Sequence, residues 1–144
     1  MEPDEVFDGA LEGTVYRDKQ VDETGVHLTV GSVHAVLNRG HTDFGGGEQQ
    51  PCETQKLSPK KRDPDDDYGW WDLEGGHYRV RFNESVNGEH GVFLLVPNQR
   101  ILECGCDLSP TLLASGSIDT VLVVPREGVS IKENARIALL TSVS

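Results

Sequence analysis

The sequence predicts an all-β domain, a barrel or sandwich with irregular corners and one short N-terminal helix. Three observations carry this. Tyr78-Arg79-Val80-Arg81-Phe82 alternates along its length, the period-two pattern of a strand with one buried and one wet face. Gly91-Val92-Phe93-Leu94-Leu95-Val96 is a continuous apolar run stopped by Pro97, as in a strand covered on both sides. Sixteen glycines and seven prolines cut the chain into short pieces, and after the first dozen residues only Arg100–Cys104 has helical spacing, enough for one turn.

Taken in order, residues 2–12 carry five acids around Val6, Phe7 and Leu11, which predicts one short amphipathic helix ended by Gly13. Val21–Leu37 is a strand region in which Val26, Leu28 and Val30 alternate with His27 and Thr29, with Gly31-Ser32 as a bulge or turn. Residues 39–69 differ in character. They hold Gly45-Gly46-Gly47, Pro51, Pro59, Pro64 and Asp65-Asp66-Asp67, with few large hydrophobes, so the segment is expected to be a flexible loop. Thr120–Val124 and Arg136–Leu140 read as further strands, with turns at Pro125–Gly128 and Ile131–Asn134, where Asn134 suits a positive φ. In Trp70-Trp71 one ring should be buried and the other exposed or at an interface, because adjacent strand residues face opposite ways. A length of 144 residues fits a single domain, 1–144, with one core.

Twenty-four acids against thirteen bases, only five of them lysine, give a net charge of −11. Such a surface repels phosphate backbones, so no nucleic-acid partner is expected. It suits a protein kept soluble in concentrated salt, and equally an ordinary acidic cytosolic one. No stretch is long and apolar enough for a membrane span, and the acidic N-terminus does not read as a signal peptide, so the expected location is the cytoplasm without membrane attachment. Cys52, Cys104 and Cys106 make no disulfide framework. Cys104-Gly105-Cys106 lacks a second pair to complete a zinc set, so no metal site is expected and the thiols should be free and mostly buried. His27 and His34, seven apart, fall on opposite strand faces unless the bulge intervenes. The sequon Asn83-Glu84-Ser85 and the histidines are read as structural.

Three segments in order carry a family resemblance. Gly25-Val26-His27-Leu28-Thr29-Val30 matches a G-[VY]-D-L-x-[VL] strand. Asp72–Val80 followed by Asn83-Glu84-Ser85-Val86 is similar to an L-x-P-G-x-Y-x-V…x-E-x-V stretch. Ile131–Leu140 looks like a closing I-x-x-G-x-R-I-A-Q-L strand. Together they resemble the dUTPase and dCTP-deaminase superfamily over roughly residues 21–142, apart from the loop at 39–69, and within it the haloarchaeal branch. The resemblance implies a distorted β-barrel of the dUTPase type, assembled as a homotrimer with deoxynucleotide sites at subunit interfaces. Chemistry in that family needs carboxylates to activate water and organise Mg²⁺, and a serine- and arginine-bearing turn for the triphosphate.

Against that pattern the chain departs. His27 stands where the first motif has its acid. The P-R-S-S-L turn is Pro97-Asn98-Gln99-Arg100-Ile101, and the late glutamine is Leu139. The sequence ends at Ser144 without the closing tail that the resemblance implies. Gly116-Ser117-Ile118-Asp119 matches G-x-I-D, but the following Y-x-G is missing. Asp119 is then either the water-activating acid or, if the hairpin is trimmed, a strand-entry residue. The expectation is a catalytically inactive or strongly diverged homologue with a binding or regulatory role in deoxynucleotide metabolism. Arg100, Gln99, Asn98 and His27 would be its nucleotide-binding residues, with no cofactor. The alternative is an active dUTP pyrophosphatase or dCTP deaminase with a rearranged site drawing on Asp119, Arg100 and Glu84, and then on Mg²⁺.

Salt should relieve self-repulsion at this net charge, so the thermal midpoint should rise between low and high KCl. A scanning-calorimetry series in KCl that shows no rise, or a fall, rejects adaptation to salt.

Overall fold

Why the sheet curls follows from its two ends. In the computed structural model, which describes residues 1–143, the strands run β1 (Leu11–Glu12), β2 (Val21–Asp22), β3 (Gly25–Val36), β4 (Thr54–Lys56), β5 (Trp70–Leu73), β6 (Gly76–Val86), β7 (Phe93–Pro97), β8 (Asp107–Leu108), β9 (Thr111–Leu113), β10 (Gly116–Val124), β11 (Val129–Lys132) and β12 (Arg136–Ser142). Ser144, the last residue of the expected 1–144 domain, lies outside the described residues. The main sheet is ordered β8-β10-β6-β3-β12-β7-β9, with β1, β2 and β4 attached to β6 and β3. Its two edge strands, β8 and β9, are separated in sequence by Ser109 and Pro110 alone. Two residues reach only about 7 Å, so the sheet must bend until its edges meet, and Thr111 and Thr120 hydroxyls tie the join at 3.0 Å. The result is a curled half-barrel, 47% strand and 12% helical, as an all-β chain with one short N-terminal helix requires. A separate ribbon, β5 with β11, pairs Trp70 with Lys132 and Trp71 with Ile131.

Alternation sets the core. On β6, Val80, Phe82, Glu84 and Val86 point inward while Arg81 and Asn83 are exposed. The bulge expected at Gly31 is present, since the β3–β6 register shifts between Val30 and Ser32. Asn134 has φ 66° and is the only non-glycine residue with positive φ among those described. The helical turn is α3 (Gln99–Glu103), capped by Asn98. Trp71 is 3% exposed, and its indole N–H donates to the Leu57 carbonyl at 3.1 Å, while Trp70 is half-buried.

Several expectations are corrected. The N-terminal helix, α1 (Pro3–Glu5) continued by a π-turn over Val6–Ala10, stops before Gly13 because Leu11–Glu12 leave it to pair with Val86 and Ser85. Gly13 still must be glycine: at φ +79° a Cβ would lie 2.3 Å from the Asn83 carbonyl oxygen. β7 is not covered on both sides, since Phe93 and Leu95 are buried but Leu94 and Val96 are half-exposed; β10 alternates in the same way. Among the thiols only Cys106 is buried, and burial, then Cys104, pushes it up to about 11; Cys104 is exposed. Residues 39–69 form a long excursion from β3 that is exposed at its tip, where Phe44 is fully in solvent. Its stem is paired, through β4 on β3 and through Lys60 bridging Trp70.

A polar knot crosses the core. The Glu84 carboxylate, 1% exposed, accepts from Gln20 Nε2 at 2.9 Å, the Thr29 amide at 2.9 Å and the Thr29 hydroxyl at 2.6 Å. The Gln20 side chain, on α2 (Arg17–Gln20), accepts the amides of Val15 and Tyr16 and donates to the His27 carbonyl. Burial pushes the Glu84 carboxyl above its usual range, and the Thr29 and Gln20 hydrogen bonds only partly oppose this.

Glu84→Gln replaces one acceptor oxygen by an N–H₂ that must face at least the Thr29 amide, and should lower stability by about 1–3 kcal/mol in urea titrations. The folded carboxyl value is raised. Its contribution is therefore full below the unfolded carboxyl range and is lost as pH rises through the folded value, so the deficit of the variant should narrow from pH 4 toward pH 8. A deficit that widens with pH contradicts the assignment. Limited proteolysis should cut first between residues 43 and 49 and leave the paired stem at residues 54–60 intact; first cuts in the stem would show that the pairing does not hold it.

Candidate functional site

The turn after β7 is built by Asn98. Its Oδ1 accepts the Ile101 amide at 3.1 Å, and its Nδ2 donates to the Arg136 carbonyl at 3.0 Å and faces His27 Nδ1 at 3.2 Å. At 3% exposure, with every polar atom used, Asn98 holds the turn and has nothing left for a ligand. His27 is equally committed. An amide N–H₂ against Nδ1 makes that nitrogen an acceptor, so the proton sits on Nε2 and is shared with Asp22 Oδ2 at 2.7 Å. Burial works to raise the Asp22 carboxyl, but the Thr24 hydroxyl, His27 and the Thr24 amide outweigh it and hold it down to about 2. Gln99 is exposed and reaches Glu103 at 3.4 Å.

Arg100 differs from its neighbours. It is exposed on α3, forms no ion pair or hydrogen bond among the described residues, and lines a cleft of about 450 Å³ with Ile101, Cys104, Trp70 and residues 130–137. Arg136 stands in the same cleft, its Nη1 donating to the Lys19 carbonyl at 2.7 Å. Burial, and then the like charge of Arg100, pushes the Arg136 guanidinium down. Lys132 is the third cation of the cleft. The single carboxylate there, Glu133, is turned away to accept the Gly69 amide at 2.8 Å. In a chain with eleven more acids than bases, a cleft with three cations and one engaged carboxylate is a local reversal of charge.

The acids of the alternative reading do not share this cleft. Asp119 lies three residues inside β10, opposite Arg81, with Oδ2 3.3 Å from Arg79 Nη2. It borders a small hollow of about 80 Å³ with His34, Thr54, Val80 and Arg81. Burial first, then Arg81, Lys56 and Arg79, lowers His34, whose Nε2 meets the Ser32 hydroxyl at 2.9 Å. Glu84 is sealed in the core beneath its three donors. Of the expected residues, the structure therefore joins His27 to Asn98, places Arg100 in a cleft of its own, and sets Asp119 and Glu84 apart. Among the described residues no group of three His, Cys, Asp or Glu side chains is arranged to hold a metal, and no helix is long and apolar enough to cross a membrane. The sequence reading misses Trp70, Lys132 and Arg136 as parts of one cleft. The available signal is the pairing of the 130–132 and 70–72 segments, which neither shows alone.

No family model matches the chain. It is similar to three archaeal proteins, each described as a probable deoxyuridine 5′-triphosphate nucleotidohydrolase. One from Methanosarcina mazei is 28% identical over 135 residues, 90% of this chain and 75% of its own length. One from Methanosarcina barkeri is 29% identical with the same coverage. One from Aeropyrum pernix is 30% identical over 142 residues, 95% of this chain and 82% of its own.

Proposed function

The chain belongs to the deoxyuridine 5′-triphosphate nucleotidohydrolase family, and from that premise we propose that it binds a deoxynucleotide through the Arg100–Arg136 cleft without hydrolysing it. The observation that carries this is the unpaired Arg100 lining one cleft with a partly buried, like-charged Arg136. Two guanidinium groups that line one cleft without a free carboxylate repel each other, a cost that a phosphate removes, and their planar donor forks match its oxygens.

Catalytic silence rests on what surrounds the acids. A general base must reach the attacking water, yet Asp119 is held by Arg79 in a hollow of its own, and Glu84 has no path to solvent. Mg²⁺ takes oxygen ligands, usually carboxylates with phosphate. The donors of this cleft are three cations and an engaged Glu133, a set that does not fit a metal held by protein, so no step runs through one. A nucleotide held but not consumed makes the protein a sensor or a regulator, and the trimer that the family resemblance implies belongs to this proposal.

Calorimetry should show dUTP or dCTP binding that falls about tenfold to a hundredfold in Arg100→Ala, the loss of one or two hydrogen bonds to a charged group. Pyrophosphate and ammonia release, measured in parallel with Mg²⁺ present, should stay at background. Pyrophosphate release that disappears in Asp119→Asn would replace this reading with a working pyrophosphatase.

A further inference from the structure

Three cations alone describe a site for any polyphosphate. The same cleft has a fourth wall of different chemistry. Trp70 lines it, and the pairing of β5 with β11 sets Trp70 directly across from Lys132, whose Nζ lies 5.7 Å from the centre of an indole ring. The Arg62 guanidinium stacks on the same indole at 3.9 Å, and Arg62 itself does not border the cleft. Asp72 braces that stack, accepting from Arg62 Nη2 at 3.3 Å and from the Ser130 hydroxyl at 2.5 Å. The indole is thus braced by a stacked guanidinium while it borders the cleft, with the flexible lysine as its nearest cationic neighbour from the cleft itself. Ile101, Ile131 and Ile137 give the same cleft an apolar lining. A cleft of about 450 Å³ lies within the range of small-molecule sites, roughly 300–1,000 Å³, and is larger than a phosphate needs.

We infer that Trp70 is the platform on which the base of the bound nucleotide stacks, and that Lys132, resting near the indole in the free protein, is released to the phosphates when the base arrives. This deepens the binding reading above and rests on it. It assigns the ligand class, since a flat aromatic group and an anion must be present in one molecule. It also assigns the selectivity, because stacking is tolerant of base identity while it rejects ligands without a ring.

The test compares dUTP with inorganic tripolyphosphate on the full chain, by calorimetry and by acrylamide quenching of tryptophan emission. Trp71 is 3% exposed, so the quencher reports on Trp70. The expected result is dUTP binding roughly tenfold tighter than tripolyphosphate. Trp70→Ala should erase that difference while tripolyphosphate binding stays as it was, and Trp70→Phe should keep most of it. In the unmutated protein dUTP should shield the indole from acrylamide and tripolyphosphate should not, a measurement that stands even if Trp70→Ala fails to fold. Equal affinity for the two ligands, or no shielding by bound dUTP, overturns the platform and leaves the arginine site standing. Failure of both ligands to bind overturns the arginine site itself, and the platform with it.

Discussion

The carboxylate of Glu84 sits two residues from the end of β6, and its three hydrogen-bond donors fix two separate segments. Gln20 brings in the short helix before β2, and the Thr29 amide and hydroxyl lock β3 just before its bulge. The knot continues outward, because Asn83 Nδ2 donates to the Thr29 hydroxyl and to Asn134 Oδ1 in the turn that opens β12. A buried acid without a cation is costly unless its lone pairs are filled. Its satisfaction therefore specifies one register for β3 against β6, and through Asn134 one position for the start of β12. Arg136 stands at that start, two residues on. The geometry of the cleft is in this sense set by a group that never touches it.

His27 and Asn98 form a second link between core and surface. The sequence resemblance leads one to expect an acid at the position of His27; here the imidazole lies between Asp22 and the amide that caps α3. The exchange makes local physical sense. With Asn98 in the turn, an acceptor must face its N–H₂ group, and a neutral imidazole provides one while donating its own proton to Asp22. The turn serves as a structural joint, and Arg100, which leads from it into the cleft with Trp70 and Arg136, is the side chain in it without a hydrogen bond or ion pair among the described residues.

The long strands are readable from sequence because burial imposes alternation: Val80, Phe82 and Val86 cannot face outward without exposing the core. The same holds for the Gly31 bulge and for Asn134, where a small or amide residue marks an unusual backbone. Thr54–Lys56 carries no such mark, since all three residues are exposed and backbone pairing to β3 alone makes the strand. β7 misleads for a related reason. A continuous apolar run reads as covered on both faces, yet Leu94 and Val96 are half-exposed. The cleft is the least readable part. Trp70, Arg100 and Lys132 lie about thirty residues apart in the chain, and only the β5–β11 pairing and the cap on α3 bring them together.

The two-residue link across Ser109 and Pro110 carries a consequence for life in a crowded cell. An open sheet of this width would present two long rows of unpaired amides and carbonyls, each a template on which another chain could grow. Here the terminal strands are two and three residues long, and Pro110 between them has no amide proton to offer. Bending the sheet until its ends meet thus blunts both of the edges from which misassembly would start.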